Sequence, residues 1–229
     1  MDKDLLIQSI QFLEEFINEN RKGLISHSVE NRTRYVTIVL ENIFQPQNAS
    51  AVIRSCDCFG IQDVHIIENS NEYIINPDVV MGASKWVDLH RYNRNENNSL
   101  DAINALKKQG YRIIATTPHT NDILLPDFDL EKGKSAFFFG TELTGLSQVV
   151  MDNADEFVKI PMYGFTESFN ISVSAALILN HLATEMRKKD IDWQLSDQEK
   201  LELKLRWLKK AVKKGDKLLK EQLRRNQMD

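Results

Sequence analysis

Tyr35-Val36-Thr37-Ile38-Val39-Leu40, a loop from Glu41 to Gln47, and then Asn48-Ala49-Ser50-Ala51-Val52-Ile53-Arg54-Ser55-Cys56-Asp57 is the stretch that sets the fold. The first six residues are a β-branched run of the kind found in a strand buried on both faces. The segment after the loop is small and apolar, and Gly60 suits the C-terminal cap of a helix starting near Asn48. The same alternation continues along the chain. Strands are expected at Val64–Ile67, Tyr111–Thr116, Ser135–Phe139 and Glu156–Ile160. Helices are expected at Leu100–Gln109, ended by Gly110, and over residues 172–187. Strands alternating with helices predict an α/β fold, a mostly parallel sheet with helices on both faces.

The flanks read differently. Residues 4–20 carry Leu6, Ile10, Leu13 and Ile17 on one helical face, as a docking helix would. Residues 21–34 are polar and basic, with Gly23 as a break, and are expected to form a surface connection. After Trp193, Leu201, Leu205, Leu208, Val212, Leu219 and Leu223 alternate with basic residues, which describes at least one more amphipathic helix. The expected division is therefore an N-terminal helical extension (1–32), a central domain (33–188) and a basic C-terminal helical extension (189–229).

With 229 residues, 42% of them apolar, the chain can bury one good-sized core. No apolar run approaches the roughly 20 residues of a membrane span. Met1-Asp2-Lys3-Asp4 lacks the basic-then-apolar layout of a secretory signal. Cys56 and Cys58 are poorly placed to close a disulfide, and no further ligands at matching spacing suggest a metal site. A cytoplasmic protein with free thiols is expected. The net charge of -4 argues mildly against a nucleic-acid partner, but its distribution argues back. From Glu199 to Asp229 there are eleven Lys and Arg against five Asp and Glu. Such a tail contacts phosphates or is simply a solvated helix face, and charge alone favours the latter.

Three separated segments place polar side chains or glycines where an apolar strand meets a loop or helix, the edge at which open α/β sheets bind ligands. In the first, Asn48 suits an N-cap, while Arg54 stands in a small, apolar stretch. Its guanidinium there needs a phosphate or carboxylate, or a structural ion pair with Asp57 or Glu142. In the second, Phe137-Phe138-Phe139 leads into Gly140-Thr141-Glu142-Leu143-Thr144-Gly145-Leu146-Ser147. A ligand can approach such a glycine closely, although a tight turn explains it equally well. It is neither the dinucleotide fingerprint nor a phosphate-binding P-loop. The third is Ile160-Pro161-Met162 and then Glu167-Ser168-Phe169-Asn170-Ile171-Ser172-Val173-Ser174-Ala175-Ala176. It reads as a helix start with spare hydroxyls, or as one that presents donors to a ligand. No catalytic triad is apparent, and the five histidines read as surface or structural residues.

Taken in order, these segments resemble the three motifs of the SPOUT class of RNA methyltransferases, specifically the TrmH-type tRNA ribose 2'-O-methyltransferases. The similarity covers about residues 33–185 and includes Met81-Gly82-Ala83-Ser84-Lys85-Trp86-Val87. The resemblance implies a C-terminal trefoil knot, a homodimer, and S-adenosylmethionine held by the knot loops. The cofactor would meet Thr116, the loop Gly140, Thr141, Glu142, Leu143, Thr144 and Gly145, and also Ile160, Met162 and Phe169. Arg54 matches the family's catalytic arginine; Asn48, Glu142, Ser168 and Asn170 match its supporting polar residues. The family's arginine is held to help deprotonate the ribose hydroxyl. A guanidinium titrates above about 12, so Arg54 is better read as orienting ribose and phosphate and stabilising developing alkoxide charge. No metal is implied. A short N-terminal helix with a basic C-terminal region resembles the enzymes that methylate the D-loop guanosine of tRNA. The alternatives are ribosomal RNA, which these motifs do not exclude, and a non-catalytic RNA-binding protein of the same fold.

Overall fold

The computed structural model describes residues 2–73, 76–80, 82–118, 122–142 and 144–225. Helices α1 (Lys3–Glu14) and α2 (Glu19–Glu30) precede β1 (Val36–Glu41). Then come α3 (Pro46–Phe59), β2 (Asp63–Ile67), α4 (Pro77–Val80), β3 (Asp88–Tyr92), α5 (Asn98–Lys108), β4 (Arg112–Thr116) and β5 (Ile123–Leu124). The chain continues through β6 (Ser135–Phe139), α6 (Gln148–Asn153), β7 (Glu156–Lys159), α7 (Ile171–Lys188), α8 (Asp197–Ala211) and α9 (Gly215–Arg225). It divides into two compact units: Thr33–Trp193, and the terminal stretches Met1–Arg32 and Gln194–Asp229 taken together.

Among the described residues of the central unit, seven strands form one sheet in the order β3-β2-β1-β6-β4-β7-β5, with every pairing parallel. The strand period of two divides its side chains between two cores. Ile38, Leu40, Phe137 and Phe139 face one way, with buried residues of α3 and α7. Val39, Ile113, Ala136 and Phe138 face the other, with Ala102, Ile103 and Leu106 of α5 and Val150 of α6. Phe137 and Phe138 are completely buried at the centre. Truncating such a ring costs roughly 3–5 kcal/mol. All strands run in one direction, so the loops after β1, β4, β6 and β7 collect at one sheet edge, where the strand order reverses between β1 and β4.

The terminal unit corrects the reading of the first 34 residues. The expected single helix over 4–20 ends at Glu14, and the expected surface connection is itself the helix α2. Asn18 restarts the helix by accepting the Arg21 N–H at 2.9 Å, and Ile25 and Val29, one turn apart, supply the buried face. Gly23 lies inside α2 rather than breaking it. Leu203, Leu205, Trp207 and Leu208 are the buried residues of α8, which packs on α1. The helix α8 starts with a reciprocal cap between Ser196 and Glu199. Two helices, α8 and α9, stand where at least one was expected.

Other differences are local. The helix α3 begins at Pro46, whose fixed φ suits a first turn, so Gln45 is the N-cap position and Asn48 lies inside the first turn. Gly60 takes the left-handed conformation (φ 81°) that ends the helix. The edge strand β3 was not anticipated because Asp88-Leu89-His90-Arg91-Tyr92 lacks an apolar run; nor were the two-residue β5 and the short α6.

Polar residues of β2 and β3 form a cluster that titrates. His65 is buried, meets the Tyr92 hydroxyl through Nδ1 at 3.1 Å, and stacks on His90 with ring centres 4.6 Å apart. His90 Nε2 meets Asp63 Oδ1 at 3.0 Å, and Arg34 donates from Nε to Asp63 Oδ2 at 2.8 Å. Burial, then the charge of His90, lowers the His65 pKa from 6.5 to about 4. Burial pushes the Asp63 carboxyl up, but the His90 hydrogen bond and the Arg34 and histidine charges outweigh it and leave it lowered. As pH falls from 6.5 towards 4, the unfolded chain protonates His65 before the folded chain does, so stability falls in that window. The loss through His65 is about 3 kcal/mol; that through Asp63 lies at lower pH, below its ordinary range. His65→Gln is expected to flatten the dependence of the urea midpoint on pH between 6.5 and 4; an unchanged slope would assign it to other groups.

Candidate functional site

A cleft of about 610 Å³ opens at the carboxyl ends of β4, β6 and β7. Thr116, Gly140, Thr141, Glu142, Thr144, Gly145, Ile160, Met162 and Phe169, expected around a cofactor from the sequence, all line it, as does Ser168. Leu143 lies outside the described residues. The walls also contain Thr117, Phe139, Leu146, Met151, Val158, Ile171, Ser174 and Ile178. These were not singled out as site residues. Most lie inside strands or helices and are read from a single sequence as core.

The loop after β6 is held by its own backbone. Thr141 and Gly145 exchange both N–H···O=C bonds at 3.0 Å, and Gly145 is left-handed (φ 68°). A Cβ on Gly140 would lie 2.2 Å from the carbonyl carbon and oxygen of Gly145. Any side chain there would push the loop open, so glycine is needed for a close approach of backbone to backbone. Thr144 N–H donates to Thr141 Oγ1 at 3.1 Å, and the two hydroxyls lie 2.7 Å apart.

At the cleft mouth, three segments far apart in sequence meet on one carboxylate oxygen. Glu142 Oε1 accepts from Asn48 Nδ2 at 3.0 Å and from Asn170 Nδ2 at 2.7 Å. Asn170 Nδ2 also donates to Asn48 Oδ1 at 3.1 Å, and Asn48 Nδ2 to Gln45 Oε1 at 3.0 Å. Asn170 Oδ1 accepts both the backbone N–H and the hydroxyl of Ser172, at 2.9 and 2.6 Å, and so caps α7. Each asparagine thus has its amide nitrogen and oxygen engaged, which fixes its orientation. Glu142 Oε2 has no hydrogen-bond partner among the described residues.

Arg54 stands apart from this group. Six residues beyond Asn48, it lies about 9 Å further along α3 and roughly 120° around it. It is exposed, is not among the cleft-lining residues, and has no ion pair among the described residues. The structural pairings with Asp57 or Glu142 that its setting allowed are therefore not made. Cys56 is buried and Cys58 exposed, and among the described residues no group of three His, Cys, Asp or Glu side chains could hold a metal ion. None of the histidines in the described residues lines the cleft; His119 lies outside them.

Comparison with known proteins places these features. Residues 35–180 match the SpoU rRNA Methylase family. The chain is 46% identical over 213 residues to a tRNA (guanosine(18)-2'-O)-methyltransferase of Borreliella burgdorferi, covering 93% of this chain and 95% of that one. An enzyme of the same description from Thermus thermophilus is 32% identical over 161 residues, 70% of this chain and 80% of that one. Among solved structures, the Aquifex aeolicus TrmH/SpoU tRNA modifying enzyme superposes with a TM-score of 0.74 at 24% identity, covering 85% of this chain and 98% of that one. The SpoU methyltransferase AviRb of Streptomyces viridochromogenes, in complex with AdoMet, gives 0.59 at 22% identity over 69% of this chain and 63% of that one. With the family model spanning the whole sheet and both ends of the cleft, the chain belongs to the SpoU methylase family.

Proposed function

We propose that this chain transfers a methyl group from S-adenosylmethionine to the ribose 2'-hydroxyl of the D-loop guanosine of tRNA, position 18 in the name its relatives carry. The observation that carries this reading is the junction of Asn48, Glu142 and Asn170 at the mouth of the cleft. The residues present suit the cofactor. Phe139, Leu146, Val158, Ile160 and Ile178 offer an apolar wall to a purine, while the Gly140–Gly145 loop offers backbone groups at close range. Glu142, Glu167 and Lys159 bring charges of both signs to the lining, which suits a ligand that carries a sulfonium, an amine and a carboxylate. When bound, the cofactor supplies a methyl group already activated on a sulfonium. The chain then has to position the ribose and stabilise charge on its 2'-oxygen. Asn48 and Asn170 hold one oxygen of Glu142 and leave the other, Oε2, to accept a hydrogen bond from the ribose. Arg54, exposed and unpaired among the described residues, is available to a substrate phosphate and to the developing alkoxide.

The finer features of the family follow as proposals. β7 lies beyond β4, whereas α7 packs on α3, the helix that follows β1, so residues 160–170 lead the chain back across the strand order. That path supports a trefoil knot. Tyr163 (95% exposed), Phe165 (104%), Phe169, Val173 and Leu177 form an apolar surface on that segment and α7. A surface of this kind suits burial against a second copy in a homodimer. No helix among the described residues is long and apolar enough to cross a membrane. A tRNA substrate, as the names of the relatives suggest, supports a cytoplasmic location.

Two groups stand out among the basic residues of the C-terminal region. Lys200, Lys204 and Lys209 are committed to Glu30, Glu14 and Asp216 at 2.7–2.8 Å. Lys213, Lys214, Lys217, Lys220 and Arg224 are exposed and have no ion pair among the described residues. The second group is suited to tRNA phosphates, which position the RNA without specifying its sequence.

Four measurements check these assignments. Methyl transfer to total tRNA and to ribosomal RNA, followed by mapping, is expected to mark the D-loop guanosine; a ribosomal mark would move the substrate and keep the chemistry. In the same assay Arg54→Ala should lose activity by at least about a hundredfold while calorimetry shows cofactor binding within about twofold. Equal loss of both would make Arg54 a structural or cofactor residue. Sedimentation should find the native chain dimeric and the V173K/L177K variant monomeric; a dimeric variant would place the interface elsewhere. Replacing Lys213, Lys217, Lys220 and Arg224 by Gln should weaken tRNA binding and lower the slope of log affinity against log salt by about 0.7–0.9 for each phosphate no longer neutralised. Lys200→Gln should leave that slope unchanged. Substitution suits this test better than deleting the tail, which would strip α8 from the apolar face of α1.

A further inference from the structure

Glu41, the last residue of β1, is 2% exposed and is not among the cleft-lining residues. Its Oε2 accepts the Ser147 backbone N–H at 2.8 Å, and its Oε1 accepts the Ser147 hydroxyl at 2.7 Å and the Ser99 hydroxyl in a short hydrogen bond. Three donors thus converge on one buried carboxylate, and among the described residues no cation is paired with it. Burying a charge on these terms is costly unless its hydrogen bonds are held in place.

The placement of Ser147 explains the need. Ser147 lies between Leu146 and Gln148, both of which line the cleft, and it caps α6 through Val150 N–H at 3.4 Å. The near end of the same loop closes on itself at Thr141 and Gly145. That closure makes a compact turn but does not tie the turn to the sheet. At the far end, Ser147 is tied to the sheet through the Glu41 side chain.

We infer that Glu41 is a positioning residue for the cofactor cleft: through Ser147 it fixes the loop of residues 140–147 against the end of β1. The inference rests on the reading of the cleft as the S-adenosylmethionine site. A carboxylate suits the task better than an amide because the Ser147 N–H cannot rotate. Glutamine fits only if its carbonyl faces that N–H and both hydroxyls turn to accept from its amide nitrogen.

The test is hydrogen exchange of the unliganded protein together with calorimetric binding of S-adenosylmethionine. In Glu41→Ala, amides of residues 140–150 are expected to exchange at least about tenfold faster while those of β1 and β6 keep native protection. The cofactor Kd should rise by about tenfold. Ser147→Ala, which is only partly buried, should move the Kd in the same direction. The double variant should be no worse than Glu41→Ala alone. Glu41→Gln should restore part of the affinity, and Ser99→Ala should leave it within about twofold, since the Ser147 bonds remain. Faster exchange throughout the sheet, an unchanged loop, or multiplying effects of the Glu41 and Ser147 substitutions would overturn the inference. Failure of the native chain to bind the cofactor would overturn the underlying reading, and it is seen before any variant is made.

Discussion

One oxygen atom, Glu142 Oε1, accepts hydrogen bonds from two asparagines that are 122 residues apart in sequence. Most of the site depends on that coincidence. Asn48 belongs to the first turn of α3, Glu142 to the loop after β6, and Asn170 to the start of α7. Each comes from a different βα connection, and a parallel sheet gathers such connections at one edge. A charge-assisted bond is worth more than a neutral one, and here two of them converge from separate elements. The carboxylate therefore links the start of α7 to the loop after β6, while its other oxygen has no hydrogen-bond partner among the described residues.

Backbone geometry sets the second constraint. Gly140 leaves β6 with no room for a side chain, because the carbonyl of Gly145 occupies the place where one would begin. The turn is thus closed by its own backbone bonds, while its far end is held through Ser147 and Glu41. Rigid loops lose little entropy when a ligand binds, since most of the ordering has occurred on folding. The apolar walls come from residues that also complete the core, such as Phe139 and Ile178, so pocket and core share one packing problem.

Much of this was legible in the sequence because chemistry and period agree there. The run Val36–Leu40 and the three phenylalanines of β6 are too apolar for anything but a buried strand. The glycines and amides that follow strand ends drew attention to three segments, although a tight turn or a helix cap explained each of them locally, and the structure brings Asn48, Glu142 and Asn170 of those segments together. What stayed hidden has identifiable causes. The helix α2 has a weak apolar face that only its packing partners make sense of, and β3 is an edge strand whose polar residues pair with β2. Asn48 looked like a cap because asparagine is a strong capping residue, whereas Pro46, whose fixed φ suits a first turn, starts the helix two residues earlier. Glu41 looked like the first residue of a loop; its burial depends on Ser99 and Ser147, which lie 58 and 106 residues away. Periodicity reports local geometry, and these features are set by distant neighbours.

The full engagement of Asn170 has a consequence for the age of the molecule. Hydrolysis of a side-chain amide is a slow, spontaneous fate of asparagine, and it exchanges a donor nitrogen for an acceptor oxygen of nearly the same size. At this position the new oxygen would lie where Nδ2 now sits, 2.7 Å from Glu142 Oε1. Two carboxylates at that distance cannot both stay ionised without strong repulsion. The core would be untouched and the helix still capped by the remaining oxygen, while Glu142 lost one of its two amide donors. A molecule changed at this one atom would therefore pass every global criterion of folding and still differ from the native chain where Asn48, Glu142 and Asn170 meet.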